Sequence, residues 1–225
     1  MIRYILLVFN IIFFTFIFSI LIIIVGLFDK TKKNTGYLTR LWAKSILRFS
    51  NISYEINGLE NIFNKSQYVI ISNHQSTIDI LVTFAAIPLP ISFFTKKELF
   101  FIPIFGWAMK SAGMVYVDRK NKNKSKKSVS EALLKIDKTQ LSILNYPEGT
   151  RTSFNRLNNF KKGGFILAIQ SKYPIIPLTI VYNKDMINSK IRIVVDNSID
   201  TVNYEMSDRD ILINKVKDII QSNLK

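Results

Sequence analysis

Cysteine is absent from this 225-residue chain, and histidine occurs once, at position 74. The first absence excludes disulfides, thiolate metal sites and a cysteine nucleophile. The second, with few clustered acids, argues against a zinc or two-metal centre, so no metal and no cofactor is expected. Acids are scarce as well: 16 Asp and Glu stand against 31 Lys and Arg, a formal charge of +15. Such an excess attracts nucleic acid, an anionic lipid surface or a phosphorylated substrate, and a lysine-rich solvated surface accounts for it equally well. Also missing is a G-x-S-x-G turn, so the chain has no serine-hydrolase nucleophile elbow.

Charge is absent from Tyr4 to Phe28, the run YILLVFNIIFFTFIFSILIIIVGLF, in which Asn10, Thr15 and Ser19 are the clearly polar residues. About 20 apolar residues cross a bilayer as a helix, and a cleaved signal peptide would show a shorter run with a small-residue cleavage site. Arg3 stands alone before the run, whereas Lys30, Lys32, Lys33, Arg40, Lys44 and Arg48 follow it. By the positive-inside rule the bulk of the chain then faces the cytoplasm from the inner (cytoplasmic) membrane. A span is one reading; a hairpin in one leaflet, bent near Gly26, is the other. Residues 37–49 place Leu38, Leu41, Trp42, Ile46 and Phe49 on one helical face and Arg40, Lys44 and Arg48 on the opposite one. That pattern suits an amphipathic helix at the headgroups or a helix packed on the domain. Residues 1–50 thus read as a membrane anchor with an interface helix, and 51–225 as the folded domain that follows it, with no further domain boundary.

Within 51–225, strands are predicted at 53–57, 68–72, 91–97, 114–119, 141–147, 175–182 and 190–196. Helices are predicted at 76–86, 105–113 and 163–172, and from Ser128, where Glu131 completes a capping box. The lysine-rich stretch KNKNKSKK, 120–127, reads as a basic loop. A closing helix over 207–224 directs Ile211, Leu212, Val216, Ile219, Ile220 and Leu224 to one face. Strands alternating with helices predict an α/β fold: a single domain with a mostly parallel or mixed sheet flanked by helices, preceded by the N-terminal hydrophobic helix.

The single histidine lies in SNHQSTID, after a strand and five residues before Asp79. Functional residues of open α/β sheets gather where strands end and loops lead into helices. An acid on one ring nitrogen fixes the imidazole tautomer and leaves the other nitrogen to take a proton. With no nucleophile in evidence, such a pair would activate a hydroxyl of the substrate; a histidine merely satisfied by a nearby acid is the competing reading. Downstream, YPEGTRT supplies a glycine that lets backbone approach a ligand, then a hydroxyl and a forked cation suited to a phosphate monoester. Read alone it is equally a turn. GMVYVDR, with Gly113 and Arg119, is a strand with a charged end.

The order of these stretches carries more than any one of them. Asn73, His74 and Asp79 match N-H-x-x-x-x-D. Gly113, Tyr116, Val117 and Arg119 match G-x-x-[FY]-[IV]-x-R, and Tyr146 to Thr152 match [FY]-P-E-G-T-R-[ST]. Tyr173 to Leu178 match V-P-[IV]-[IV]-P-[VL] with a tyrosine at its head. This series, over residues 68–182, resembles the four blocks of the glycerophospholipid acyltransferase family, especially the 1-acylglycerol-3-phosphate (lysophosphatidic acid) O-acyltransferases. The resemblance implies that 51–225 is the catalytic domain, with His74 as general base on the free sn-2 hydroxyl of lysophosphatidic acid and Asp79 orienting it. The hydroxyl would attack an acyl thioester directly, the donor being acyl carrier protein or coenzyme A. It further implies that Asn73, Arg119, Glu148, Gly149, Thr150 and Arg151 bind substrate, and that the fourth block shapes the acyl side of the cleft. Anionic membrane lipid is the expected surface partner and nucleic acid is not. Other acceptors (glycerol 3-phosphate or another lysophospholipid), a thioester or lipid hydrolase, and a nucleic-acid binder are the rival readings.

Overall fold

The computed structural model describes residues 2–62, 67–117, 122–154, 156–182 and 190–225. Its core is a seven-stranded sheet in the order β1-β7-β6-β2-β5-β3-β4. The strands are β1 (Tyr54–Asn57), β2 (Val69–Ser72), β3 (Ile91–Lys96), β4 (Val115–Val117), β5 (Ser142–Asn145), β6 (Ile175–Val181) and β7 (Ile191–Val195). Every neighbouring pair is parallel except β6 with β7. The sheet is therefore mixed, as its sequence pattern predicts. β2 and β6 are buried at every position, the signature of strands covered on both faces, where continuous apolar runs replace alternation.

Helices α1 (Ile2–Gly26), α2 (Lys33–Phe49), α3 (Ile78–Ala86) and α4 (Phe105–Ser111) cover one face; α5 (Lys122–Lys138), α6 (Gly163–Ser171) and α7 (Arg209–Asn223) cover the other. Most predicted elements fall within a residue or two of these bounds. Two differ. The stretch 122–127, read as a basic loop, is the first part of α5, so Ser128 lies inside that helix and does not cap it. Lysine and serine tolerate a helix when its later, apolar positions (Ala132 and Ile136, both buried) pack on the sheet. In α7 the inward face is turned: Ile213 is buried and Ile211 is 65% exposed.

The N-terminal pair is not set apart from the rest. α1 and α2 form an antiparallel hairpin, in which Asn10 Nδ2 donates to Ser50 Oγ (3.0 Å) and Trp42 Nε1 to Thr15 Oγ1 (3.0 Å). At the far end of α1, Ser111 of α4 donates to the Ile22 carbonyl, and a Cβ on Gly26 would meet the Ser111 side chain. α2 then buries Ala43, Ile46 and Leu47 in the same core as α3, each large aliphatic side chain worth roughly 1.5–3 kcal/mol. The residues that interrupt the apolar run point inward: Asn10 and Ser19 are 5% and 3% exposed, while Phe9, Ile12, Phe13 and Phe16 face outward. Phe49, predicted on the apolar face of α2, is exposed too.

Candidate active site

β2 ends at Ser72 between β5 and β6, which run parallel to it. The carboxyl ends of these three strands therefore open on the same edge. They deliver the loop 73–77 with α3, the loop that begins at Tyr146, and Tyr182. This is the crevice at strand carboxyl ends where α/β folds place ligands.

The predicted dyad is assembled. His74 Nδ1 lies 2.8 Å from Asp79 Oδ2, with the imidazole 14% exposed and the carboxylate fully buried. Oδ2 also accepts the backbone N–H of Gln75 (2.6 Å) and of Ser76 (2.8 Å). A carboxylate at Nδ1 holds the ring proton there and leaves the Nε2 lone pair to accept a proton from a bound hydroxyl. Asp79 sits in the first turn of α3, where an anion is favoured.

Two tyrosines complete the enclosure. The Tyr146 ring stacks on His74 with centroids 4.3 Å apart, and its hydroxyl is 3.4 Å from Thr83 Oγ1. The Tyr182 hydroxyl donates to Asp79 Oδ1, and its ring meets Phe154 edge-on at 5.6 Å. Burial, reinforced by the charge of Asp79, pushes both phenols well above their ordinary value, so both remain protonated. Tyr146 had a sequence signal, as the aromatic head of the third block. Tyr182 had none beyond ending an apolar strand.

The remaining predicted site residues divide. Asn73 is fully buried; its amide donates to the Ile180 carbonyl and accepts the Ile180 N–H, both at 2.8 Å. Glu148 is 4% exposed, and its two oxygens accept the N–H of His74 (2.7 Å) and of Asn158 (3.0 Å). Thr152 returns a bond from its N–H to the His74 carbonyl at 2.8 Å. Asn73 and Glu148 therefore tie the histidine loop to its neighbours, and the polar groups expected to meet substrate already have protein partners. Thr150 and Arg151 are exposed at the rim. Gly149 has φ +74°, and a Cβ there would lie 2.3 Å from Lys161 Nζ, so the lysine crosses the glycine beside the rim. Lys162 turns instead to Asp210 of α7 at 3.5 Å. Arg119 lies outside the described residues. No group of three or more His, Asp or Glu side chains gathers into a metal site among the described residues.

Fold and site together define a class of α/β protein that sets a histidine–carboxylate pair at the carboxyl ends of its central strands. The chain belongs to the acyltransferase family: the family model described as Acyltransferase matches residues 53–181. The chain is 34% identical over 157 residues to the chloroplastic 1-acyl-sn-glycerol-3-phosphate acyltransferase BAT2 of Brassica napus, a match covering 69% of this chain and 45% of that protein. It is 32% identical over 141 residues to the 1-acyl-sn-glycerol-3-phosphate acyltransferase of Saccharomyces cerevisiae (62% and 46% covered). With that of Pseudomonas aeruginosa it shares 32% over 138 residues (61% and 52%). The chain spans about half the length of these curated relatives. The crystal structure of the 1-acyl-sn-glycerophosphate acyltransferase PlsC from Thermotoga maritima superposes with a TM-score of 0.76, covering 99% of this chain and 95% of that one at 18% identity. At that identity it bears on the fold alone.

Proposed function

We propose that this protein transfers an acyl chain from a thioester to the sn-2 hydroxyl of 1-acylglycerol 3-phosphate, giving phosphatidic acid. The observation that carries the reading is the His74–Asp79 pair, held by a buried carboxylate and edge-accessible through the imidazole. Nε2 of His74 takes the proton of the acceptor hydroxyl as its oxygen bonds to the thioester carbonyl carbon. The tetrahedral intermediate then collapses, the C–S bond breaks, and the imidazolium returns its proton to the leaving thiolate. Asp79 orients the ring through Nδ1 and stabilises the imidazolium between the two steps. No acyl-enzyme forms.

The acceptor phosphate is assigned to the exposed rim of Thr150 and Arg151, with Lys161 alongside Gly149; Arg119 joins them in this proposal on its sequence motif. A guanidinium binds a phosphate through two parallel N–H bonds. Asn73 and Glu148 act as scaffold for the histidine loop. Either acyl carrier protein or coenzyme A serves as the thioester carrier.

Association with one leaflet of a membrane is part of the same proposal. An apolar outward face on α1, with polar residues turned inward and bonded to α2 and α4, supports a hairpin lying in the interface over a free span. The excess of lysine and arginine suits an anionic, cytoplasm-facing surface.

The test is an acceptor panel: purified protein in detergent, with acyl-carrier-protein and coenzyme A thioesters, offered lysophosphatidic acid, glycerol 3-phosphate or a neutral monoacylglycerol. Phosphatidic acid as the main product is expected. Turnover of glycerol 3-phosphate alone would move the acceptor, and preference for the neutral monoacylglycerol would remove the phosphate assignment.

A further inference from the structure

We propose that Tyr182 is a positioning residue of the dyad, whose hydroxyl holds the second oxygen of Asp79 and so sets the proton affinity of His74. The inference rests on the reading of His74 as general base. The Asp79 carboxylate is fully buried, and its bonds are unevenly shared. Oδ2 serves His74 Nδ1 and the N–H groups of Gln75 and Ser76, while Oδ1 has the Tyr182 hydroxyl. Three of these four donors come from the short loop before α3. Tyr182 comes from 103 positions away, at the end of β6. Among the described residues it alone ties the acid to the far side of the crevice.

Its placement is enforced. β6 pairs with β2 in register, Ile71 opposite Pro177 and Ser72 opposite Leu178. The Asn73 amide clamps Ile180, two residues before the tyrosine. The side chain is 3% exposed and has Phe154 against its ring. The same residue that precedes His74 thus fixes the strand end that reaches back to Asp79. The family match ends at residue 181, one position short of Tyr182.

The chemistry of a phenol suits this place. Among the described residues no lysine or arginine is bonded to Asp79. A cation at Oδ1 would compete with the imidazolium for the carboxylate's charge; a neutral donor moderates that charge without cancelling it. Among the described residues, the other groups facing the dyad are Tyr146, stacked on the imidazole, the Ser76 hydroxyl beside the Tyr182 hydroxyl, and Glu148 through the His74 N–H. Both phenols are held above their ordinary value by burial and by Asp79, so Tyr182 stays a donor over the working range. Removing its hydroxyl leaves Oδ1 without a donor among the described residues, strengthens the pull of Asp79 on the imidazole proton, and raises the midpoint at which His74 titrates.

His74 is the one histidine of the chain, so its imidazole resonances titrate alone in the full-length protein in detergent micelles. NMR titrations of wild type, Tyr182→Phe and Asp79→Asn provide the test. Tyr182→Phe is expected to raise the His74 midpoint by roughly half a unit or more, and Asp79→Asn to lower it. Where turnover is measured, Tyr182→Phe should lower kcat by roughly an order of magnitude with the acceptor KM unchanged, and the acid limb of kcat should rise with the NMR midpoint. The substitution removes one oxygen and keeps the ring against Phe154; a melting curve checks the fold, and Tyr182→Trp, which moves the donor away, should shift the midpoint in the same direction. An unchanged or lowered midpoint in Tyr182→Phe, with Asp79→Asn behaving as stated, overturns the proposal. Because the titration needs no turnover, inactivity on every acceptor would count against the general-base reading and leave this result standing.

Discussion

Two buried carboxylates and one buried amide around His74 are held in place by protein partners. Glu148 bonds both oxygens to backbone N–H groups, so it shapes the loop that carries His74. Glu148→Gln turns one acceptor into a donor facing an N–H. It should cost about 1–3 kcal/mol in stability and lower kcat more than it raises the acceptor KM, which melting curves and steady-state kinetics would check. Asn73→Asp removes the donor to the Ile180 carbonyl and sets a charge against it. A larger loss of melting temperature than for Asn73→Ala is expected. His74 and Asp79 were legible in sequence because they lie five positions apart and meet across the short loop that leads into α3. Asn73 and Glu148 were legible as site residues but not in what they touch, since a sequence shows an amide without its partner. Tyr182 was not legible at all: only the sheet brings it to Asp79.

At the scale of elements, hydrophobic pattern located nearly every strand and helix because the burial that selects it also forms them. The start of α5 is the exception, its first turns being lysine, asparagine and serine with no apolar period to read, so the helix was expected only from Ser128. The corner between α1 and α2 was equally silent. There Asp29, 5% exposed, accepts the Thr35 N–H (2.8 Å) and hydroxyl (3.0 Å), and closes the first turn of α2 from outside it. Burial alone would raise its pKa; the Thr35 and Thr31 bonds and nearby Lys32 outweigh it and hold the carboxyl below its ordinary value. A lowered folded-state pKa contributes stability that is present above the unfolded value, near about 4, and is lost as pH falls through the folded one. Asp29→Asn should therefore lower the melting temperature at neutral pH, with a cost of about 0.5–2 kcal/mol, and the gap from wild type should close in acid. At the rim, Gly149→Ala meets both a left-handed backbone and Lys161. It is expected to displace that lysine and weaken acceptor binding, read as a raised KM for lysophosphatidic acid.

Over the whole molecule, the polarity of α1 is the reverse of a soluble helix: polar residues inward, aromatic residues outward. Sequence alone showed a run long enough to span a bilayer, and the side-chain bonds to Ser50, Trp42 and Ser111 are what tie it to the domain. Replacing Phe9, Phe13 and Phe16 with serine should release the protein from phosphatidylglycerol vesicles in a sedimentation assay while leaving its melting temperature within a few degrees of wild type. Added salt should weaken vesicle binding by wild type without abolishing it, because charge and apolar area both contribute. Removal of residues 1–50 should not leave a cooperative fold, since Ala43, Ile46 and Leu47 share a core with α3, which carries Asp79.

The central claim is that His74 is the base for acyl transfer to a phosphate-bearing lysolipid. Its most direct measurement is the initial rate of phosphatidic acid formation from lysophosphatidic acid and an acyl thioester, for wild type and His74→Ala at equal melting temperature. A loss of about 10²–10⁴-fold in the variant is predicted. A rate in His74→Ala equal to that of wild type would contradict it.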